Sequence, residues 1–91
     1  MQISVSGKNM DTGAAFQTHA EDALNGVVNK YFDRAVSGQV TLEKADAGFR
    51  VKTRVALSRR IELEATGYAH NAHAALDAAI EHAEKRLRRH K

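Results

Sequence analysis

The spacing of apolar residues switches between two periods along this chain, and that switching restricts its fold more than any other feature. A period of two puts alternate side chains on one face of a strand, whereas recurrence at three and four puts them on one stripe of a helix. Gln2–Ser6 alternates, with Ile3 and Val5 on one face and Gln2, Ser4 and Ser6 on the other, which predicts a short strand. Gly7-Lys8-Asn9 ends it, and Asp11 or Thr12 offers an oxygen to the free N–H groups of a helix start. Phe16, Ala20, Ala23, Leu24, Val27 and Tyr31 then recur on one helical stripe. Asn25 and Gly26 weaken this helix without ending it, each costing up to about 1 kcal/mol relative to Ala. Residues 33–38 connect to a second alternating run holding Val40 and Leu42, and Ala45-Asp46-Ala47-Gly48 is a turn. Phe49, Val51, Val55 and Leu57 mark a third strand, and Ile61, Leu63 and Ala65 a fourth. Residues 67–71 read as a loop, with Asn71 a candidate cap for a final helix whose stripe is Leu76, Ala79, Ile80, Ala83 and Leu87, ending near His90.

The order is therefore β-α-β-β-β-α. A helix between the first two strands predicts a parallel pair with a right-handed crossover, and the later strands form an antiparallel meander. Leu57 and Ile61 must share a face, so the odd loop Ser58–Arg60 sets Arg54 opposite Glu64 and Ala56 opposite Glu62. Each helix has one apolar stripe and no second partner for it, so both cover the same sheet face. The expected fold is α+β: a four-stranded mixed sheet with two helices packed on one face.

Composition narrows the function. The chain has 91 residues, one domain spanning 1–91, and 16 of its hydrophobic residues are alanine, so the core is thin and a deep cleft has no room. Cysteine is absent, which removes disulfides and thiolate metal sites. No apolar run approaches the ~18 residues of a membrane span, and no signal peptide is visible, so a cytoplasmic location is expected. His70 and His73 lie in a loop without a third ligand, and His82 and His90 are too far apart for one ion, so neither metal nor cofactor is expected. No Gly-rich phosphate loop or nucleophile elbow occurs. Glu62 and Glu64 lie on an open sheet face, where burial cannot raise a carboxylate pKa. The expectation is a binding protein and not an enzyme.

Charge points to the partner. The formal net charge is +3, unevenly spread. Residues 1–46 hold four Lys/Arg against six acids, whereas residues 47–91 hold ten against five, with five of those ten in the closing KRLRRHK. A basic half on a small domain implies an anionic partner, of which nucleic acid is the commonest; a solvated helix end is the plainer reading of the same residues. At 100° per residue, Asp77, Glu81, Glu84 and Arg88 fall on one flank of the last helix, and His82, Lys85, Arg86 and Arg89 on the other. Glu84 with Arg88 and Glu81 with Lys85 make intrahelical pairs at i,i+4, leaving Arg86 and Arg89 for phosphates, which guanidinium binds in a forked geometry. Lys30 sits at the edge of the first helical stripe, and Arg34 just past it.

The element order, the opening MQISVSGKNM, the segment KYFDR at Lys30–Arg34 and the end AALDAAIEHAEKRLRRHK together resemble the hibernation-promoting factor and ribosome-associated inhibitor A family. The likeness spans essentially the whole chain and rests on order and spacing. It implies a fold like that of a double-stranded-RNA-binding domain and a place on the small ribosomal subunit, in the mRNA and tRNA channel. There it implies contact with ribosomal RNA, translation blocked sterically in stationary or stressed cells, and ribosomes paired or stored. Mapped by position, the implied RNA-binding residues are Lys30, Arg34, Lys85, Arg86, Arg88, Arg89 and Lys91. The first helix departs from the family pattern, carrying Glu21, Asp22 and a single lysine, Lys30. The resemblance fits either a short form or the N-terminal domain of a long form whose C-terminal dimerisation domain is absent here. The alternative is a generic RNA-binding module of similar fold that does not act at the decoding channel. A dimerising fragment using the outer sheet face is disfavoured by that face's charge.

Overall fold

A computed structural model of the protein describes residues 1–90; Lys91, expected among the RNA-binding residues, lies outside the described residues. The elements are β1 (Gln2–Lys8), α1 (Ala14–Tyr31), β2 (Ser37–Ala45), β3 (Gly48–Ala56), β4 (Glu62–Ala69) and α2 (Ala72–His90). The sheet runs β1-β2-β3-β4, with β1 parallel to β2 and the other pairs antiparallel. Both helices pack on one face of it and against each other. The expected register holds: Arg54 faces Glu64 and Ala56 faces Glu62.

Alternation sorts the sheet into two unlike faces. The inner rows include Val5–Val40–Thr53–Ala65 and Gly7–Leu42–Val51–Gly67. They meet Leu24 and Val28 of α1 and Leu76 and Leu87 of α2, all fully buried. Thr53 is the polar intruder in this core; its hydroxyl donates to the Ala65 carbonyl at 3.2 Å, so no buried donor is left unmet. The outer rows, such as Ser4–Gln39–Arg54–Glu64, carry polar side chains and no covering helix.

Four details depart from the expected layout. β2 begins at Ser37, inside the expected connection 33–38, because Ser37 and Gly38 already pair with Gln2 and Ile3 of β1. β1 continues through Gly7 and Lys8, because both still pair with β2 at Leu42 and Glu43. β4 continues to Ala69, so Gly67 is a strand residue and not a loop residue. Its lack of a side chain is required by α2: a Cβ on Gly67 would overlap the backbone of Ala75, Ala78 and Ala79. At the start of α1 the cap position is Gly13, at φ 79°, with no side-chain cap. Asp11 instead accepts from the Gly13 N–H at 3.3 Å, and the Thr12 hydroxyl accepts from the Gln17 amide at 2.9 Å. Asn71 does cap α2: its side-chain oxygen accepts from the Ala74 N–H at 2.7 Å.

The acidic flank of α2 faces α1. Glu84 accepts from both the Lys30 ammonium, at 3.0 Å, and the Tyr31 hydroxyl, at 2.8 Å. Asp77 meets the His19 ring at 3.3 Å. Among the described residues, neither of the expected intrahelical pairs, Glu84–Arg88 or Glu81–Lys85, forms an ion pair. The apolar stripes explain this. Once both are turned onto the sheet, the flank of α2 beside its stripe is pressed towards α1, and a partner there satisfies Glu84 twice.

Two outcomes follow for stability. Gly67→Ala forces α2 off β4 and should destabilise by about 1–3 kcal/mol, as overpacking does, with a matching fall in thermal midpoint; Thr66→Ala, on the outer face, should leave it nearly unchanged. The hydrogen bond from Lys30, then that from Tyr31, holds the Glu84 carboxyl below its usual range. A depressed carboxylate stabilises above its unfolded pKa and loses that contribution as pH falls through the folded one. The urea midpoints of the parent and Glu84→Gln should therefore differ near pH 7 and converge towards about pH 3.

Candidate nucleic-acid interface

Chain direction brings the cations to one end of the molecule. β1 and β2 are parallel, so both begin at the end where β3 finishes and β4 starts. α1 finishes there too, handing over through Phe32–Val36, and the Val36 N–H donates to the Ala56 carbonyl at 2.8 Å. α2 runs back along β4, so its last turns reach the same end, where Leu87 lies beside Val55 and Leu63. The Phe32 and His90 rings, 6.3 Å between centroids, close the end of α1 against the end of α2. Lys30, Arg34, Arg86, Arg88 and Arg89 are all exposed in this region. Residues that lie far apart in the sequence, in α1 and α2, thus share one pole.

They do not form a single stripe. Lys85 lies on the solvent ridge of α2. Arg86 and Arg89 lie on the flank over β4, where with His90 they border Leu63. Arg88 lies on the flank towards α1, close enough for its charge to add to the lowering of the Glu84 pKa. Lys30 is in that flank as well but is engaged by Glu84, whose hydrogen bond raises the lysine pKa above its usual value. Its side chain nevertheless keeps 63% exposure, so the ammonium can serve Glu84 and a further anion together. His82, expected with the basic flank, turns its Nδ1 to the Thr66 carbonyl and so ties α2 to β4.

On the sheet most cations are paired, Lys44 and Lys52 being the exceptions among the described residues. Arg54 bridges Glu62 at 3.3 Å and Glu64 at 3.0 Å, the pairing expected from the strand register. The Glu64 carboxyl is pulled below its usual range first by the Arg54 hydrogen bond and then by the Lys52 charge. Glu43 takes both Arg50, at 3.1 Å, and Lys8, at 3.7 Å. The opposite end of the molecule presents Asp11, Asp46 and the Asp77–His19 pair. Apart from Lys44 and Lys52, the cations that form no ion pair among the described residues are therefore gathered at one end and along one flank of α2. Two contributors were not singled out from the sequence: Arg59 and Arg60, in the β3–β4 turn at this same end. Adjacent arginines in an odd-numbered turn are the available signal, and the antiparallel meander puts that turn at the end where β2 begins.

Elsewhere the histidines serve packing. His73 lies edge-on to Phe16 at 5.9 Å and tilted against His19 at 5.5 Å. Among the described residues no group of three or more His, Asp or Glu side chains is placed to hold a metal ion. None of the described helices is long and apolar enough to cross a membrane.

Comparison with known proteins gives a consistent assignment. The chain is 41% identical over 91 residues to the ribosome hibernation promotion factor of Rhizobium meliloti (strain 1021), a match covering all of this chain and 48% of that protein. It is 40% identical to the protein of the same name in Bradyrhizobium diazoefficiens, covering all of this chain and 45% of that protein. The chain thus spans about half the length of these curated relatives. In structure it is similar to the N-terminal domain of Thermus thermophilus Protein Y, with a TM-score of 0.85, 22% identity and full coverage of both chains. It is also similar to a ribosomal subunit interface protein from Coxiella burnetii, with a TM-score of 0.84, 15% identity and coverage of 99% and 97%. Residues 3–91 match the sequence pattern of one family, and the chain belongs to it: the Sigma 54 modulation protein / S30EA ribosomal protein family.

Proposed function

We propose that this domain is a ribosome hibernation module that binds ribosomal RNA of the small subunit and silences translation by occupying the mRNA and tRNA channel. The observation that carries the reading is the segregation of charge. Arg86, Arg89 and Lys85 on α2, with Arg34 beyond α1, are exposed and form no ion pair among the described residues, while three of the sheet's five cations, Lys8, Arg50 and Arg54, are each held by glutamate. Evenly spread charge would serve solubility alone; a one-sided cluster on a rigid frame suits a polyanion. The names of the curated relatives support a ribosomal role.

The mechanism in this reading needs no chemistry. Guanidinium groups take phosphate oxygens in a forked geometry, and each neutralised phosphate releases counterions, which drives binding. The folded domain, 35 × 22 × 20 Å, then obstructs a passage through which RNA must move. Rigidity matters, because a flexible obstacle would be displaced. Here α2 is locked to β4 at Gly67 and to α1 at Glu84. Such a factor acts in the cytoplasm, with the small subunit and its RNA as partners.

Co-sedimentation with purified small subunits tests this. The apparent association constant should fall steeply with salt, with a logarithmic slope of about 0.7–0.9 per phosphate contacted. Lys85→Glu, Arg86→Glu and Arg89→Glu together should abolish binding at moderate salt, and retained binding would remove α2 from the interface. Bound protein should compete with tRNA and mRNA; binding without competition would instead favour an RNA-binding module acting away from the decoding channel.

A further inference from the structure

The β3–β4 turn carries two arginines that the fold itself does not use. Its backbone is fixed: the N–H groups of Leu57 and Ser58 both donate to the Ile61 carbonyl, at 2.9 and 3.4 Å. The Ser58 hydroxyl accepts from the Arg60 N–H at 3.3 Å. Arg59 and Arg60 are exposed, and neither forms an ion pair among the described residues. The arginines of the preceding strand contrast with them, since Arg50 and Arg54 are each held by glutamates of neighbouring strands. Two like charges side by side repel each other and contribute nothing to a turn closed by backbone bonds. They also stand beyond the strand ends, off the axis of α2, at the pole where α2 and α1 finish.

Contacts made by one flank of one helix fix a line on a partner but leave rotation about that line free. A second contact away from the line removes that freedom. We propose that Arg59 and Arg60 form a second phosphate-binding point, on a separate element from α2, which grips the RNA backbone and sets the domain's orientation on it. The inference rests on the RNA-binding reading above and adds a site to it. The ligand chemistry is the sugar-phosphate backbone, because guanidinium takes phosphate oxygens in a forked geometry and no aromatic side chain stands in the turn Ser58–Arg60.

The test uses the intact chain and purified small subunits, with binding measured across a salt series. Arg59→Ala with Arg60→Ala should weaken binding about ten-fold and lower the salt slope by about 1 to 2. Arg59→Lys with Arg60→Lys should restore the slope, because the charge returns. Unchanged thermal midpoints confirm that the turn survives in both, and Lys44→Ala, at the opposite end, should leave affinity unchanged. If the alanine pair binds as tightly and with the same slope while the α2 charge reversals abolish binding, the turn is not a contact, and only this inference falls. Lost affinity with an unchanged slope would also overturn it, by assigning the turn to a protein surface. If neither set of changes affects binding, the RNA-binding reading itself fails.

Discussion

The approach of α2 to β4, backbone against backbone at Gly67, governs most of what else the structure does. Gly67 leaves the space, and Ala75 and Ala79, both fully buried, fill it with the smallest side chains that still exclude water. Because the helix comes so near, its rotation about its own axis is set. Leu76 and Leu87 must point into the sheet, and every other position on α2 is then assigned a direction. Asp77 and Glu84 turn to α1, and Arg86 and Arg89 turn to the free side above β4. A larger residue at 67 would alter the presentation of charges more than ten residues away in sequence, although it touches none of them.

Much of this is legible in the sequence. The two hydrophobic periods gave the order of elements, and parity gave the β3–β4 register, since a one-residue slip would have exposed Val51 and Val55. Asn71 was legible as a cap because its side chain acts on its own helix. Where partners come from distant elements, local reasoning went astray. Glu84 has Arg88 one turn away, yet Lys30 and Tyr31 of α1 take it. Helix-surface pairs are worth only a few tenths of a kcal/mol, too little to compete with two hydrogen bonds across a packed interface. Gly67 reads as a loop residue in the sequence, and its reason for being in β4 lies in α2. Thr53 passed unnoticed because its carbonyl partner belongs to the neighbouring strand.

The candidate interface was half legible for the same reason. The KRLRRHK run announces itself, and a helical wheel separates its flanks. That Arg34 joins the run at one pole follows from the parallel pairing of β1 with β2, which brings the end of α1 back to the start of the sheet and is not visible in a helical wheel. The sheet's outer face shows the opposite behaviour. It holds Arg50, Lys52 and Arg54, but the register hands both arginines to glutamates, so most of its positive charge is offset. Charge counted along the chain therefore overstates the sheet and understates the pole.

The proposed RNA-binding surface is the pole where α1, the β3–β4 turn and α2 end. Imaging the domain bound to small subunits by cryo-electron microscopy, at a resolution that separates helices from strands, tests it in one step. The expected map shows the last turns of α2 and the end of α1 against the phosphate backbone, with the Asp46 turn pointing away. A map in which the outer sheet face or the Asp46 end lies on the RNA would contradict it.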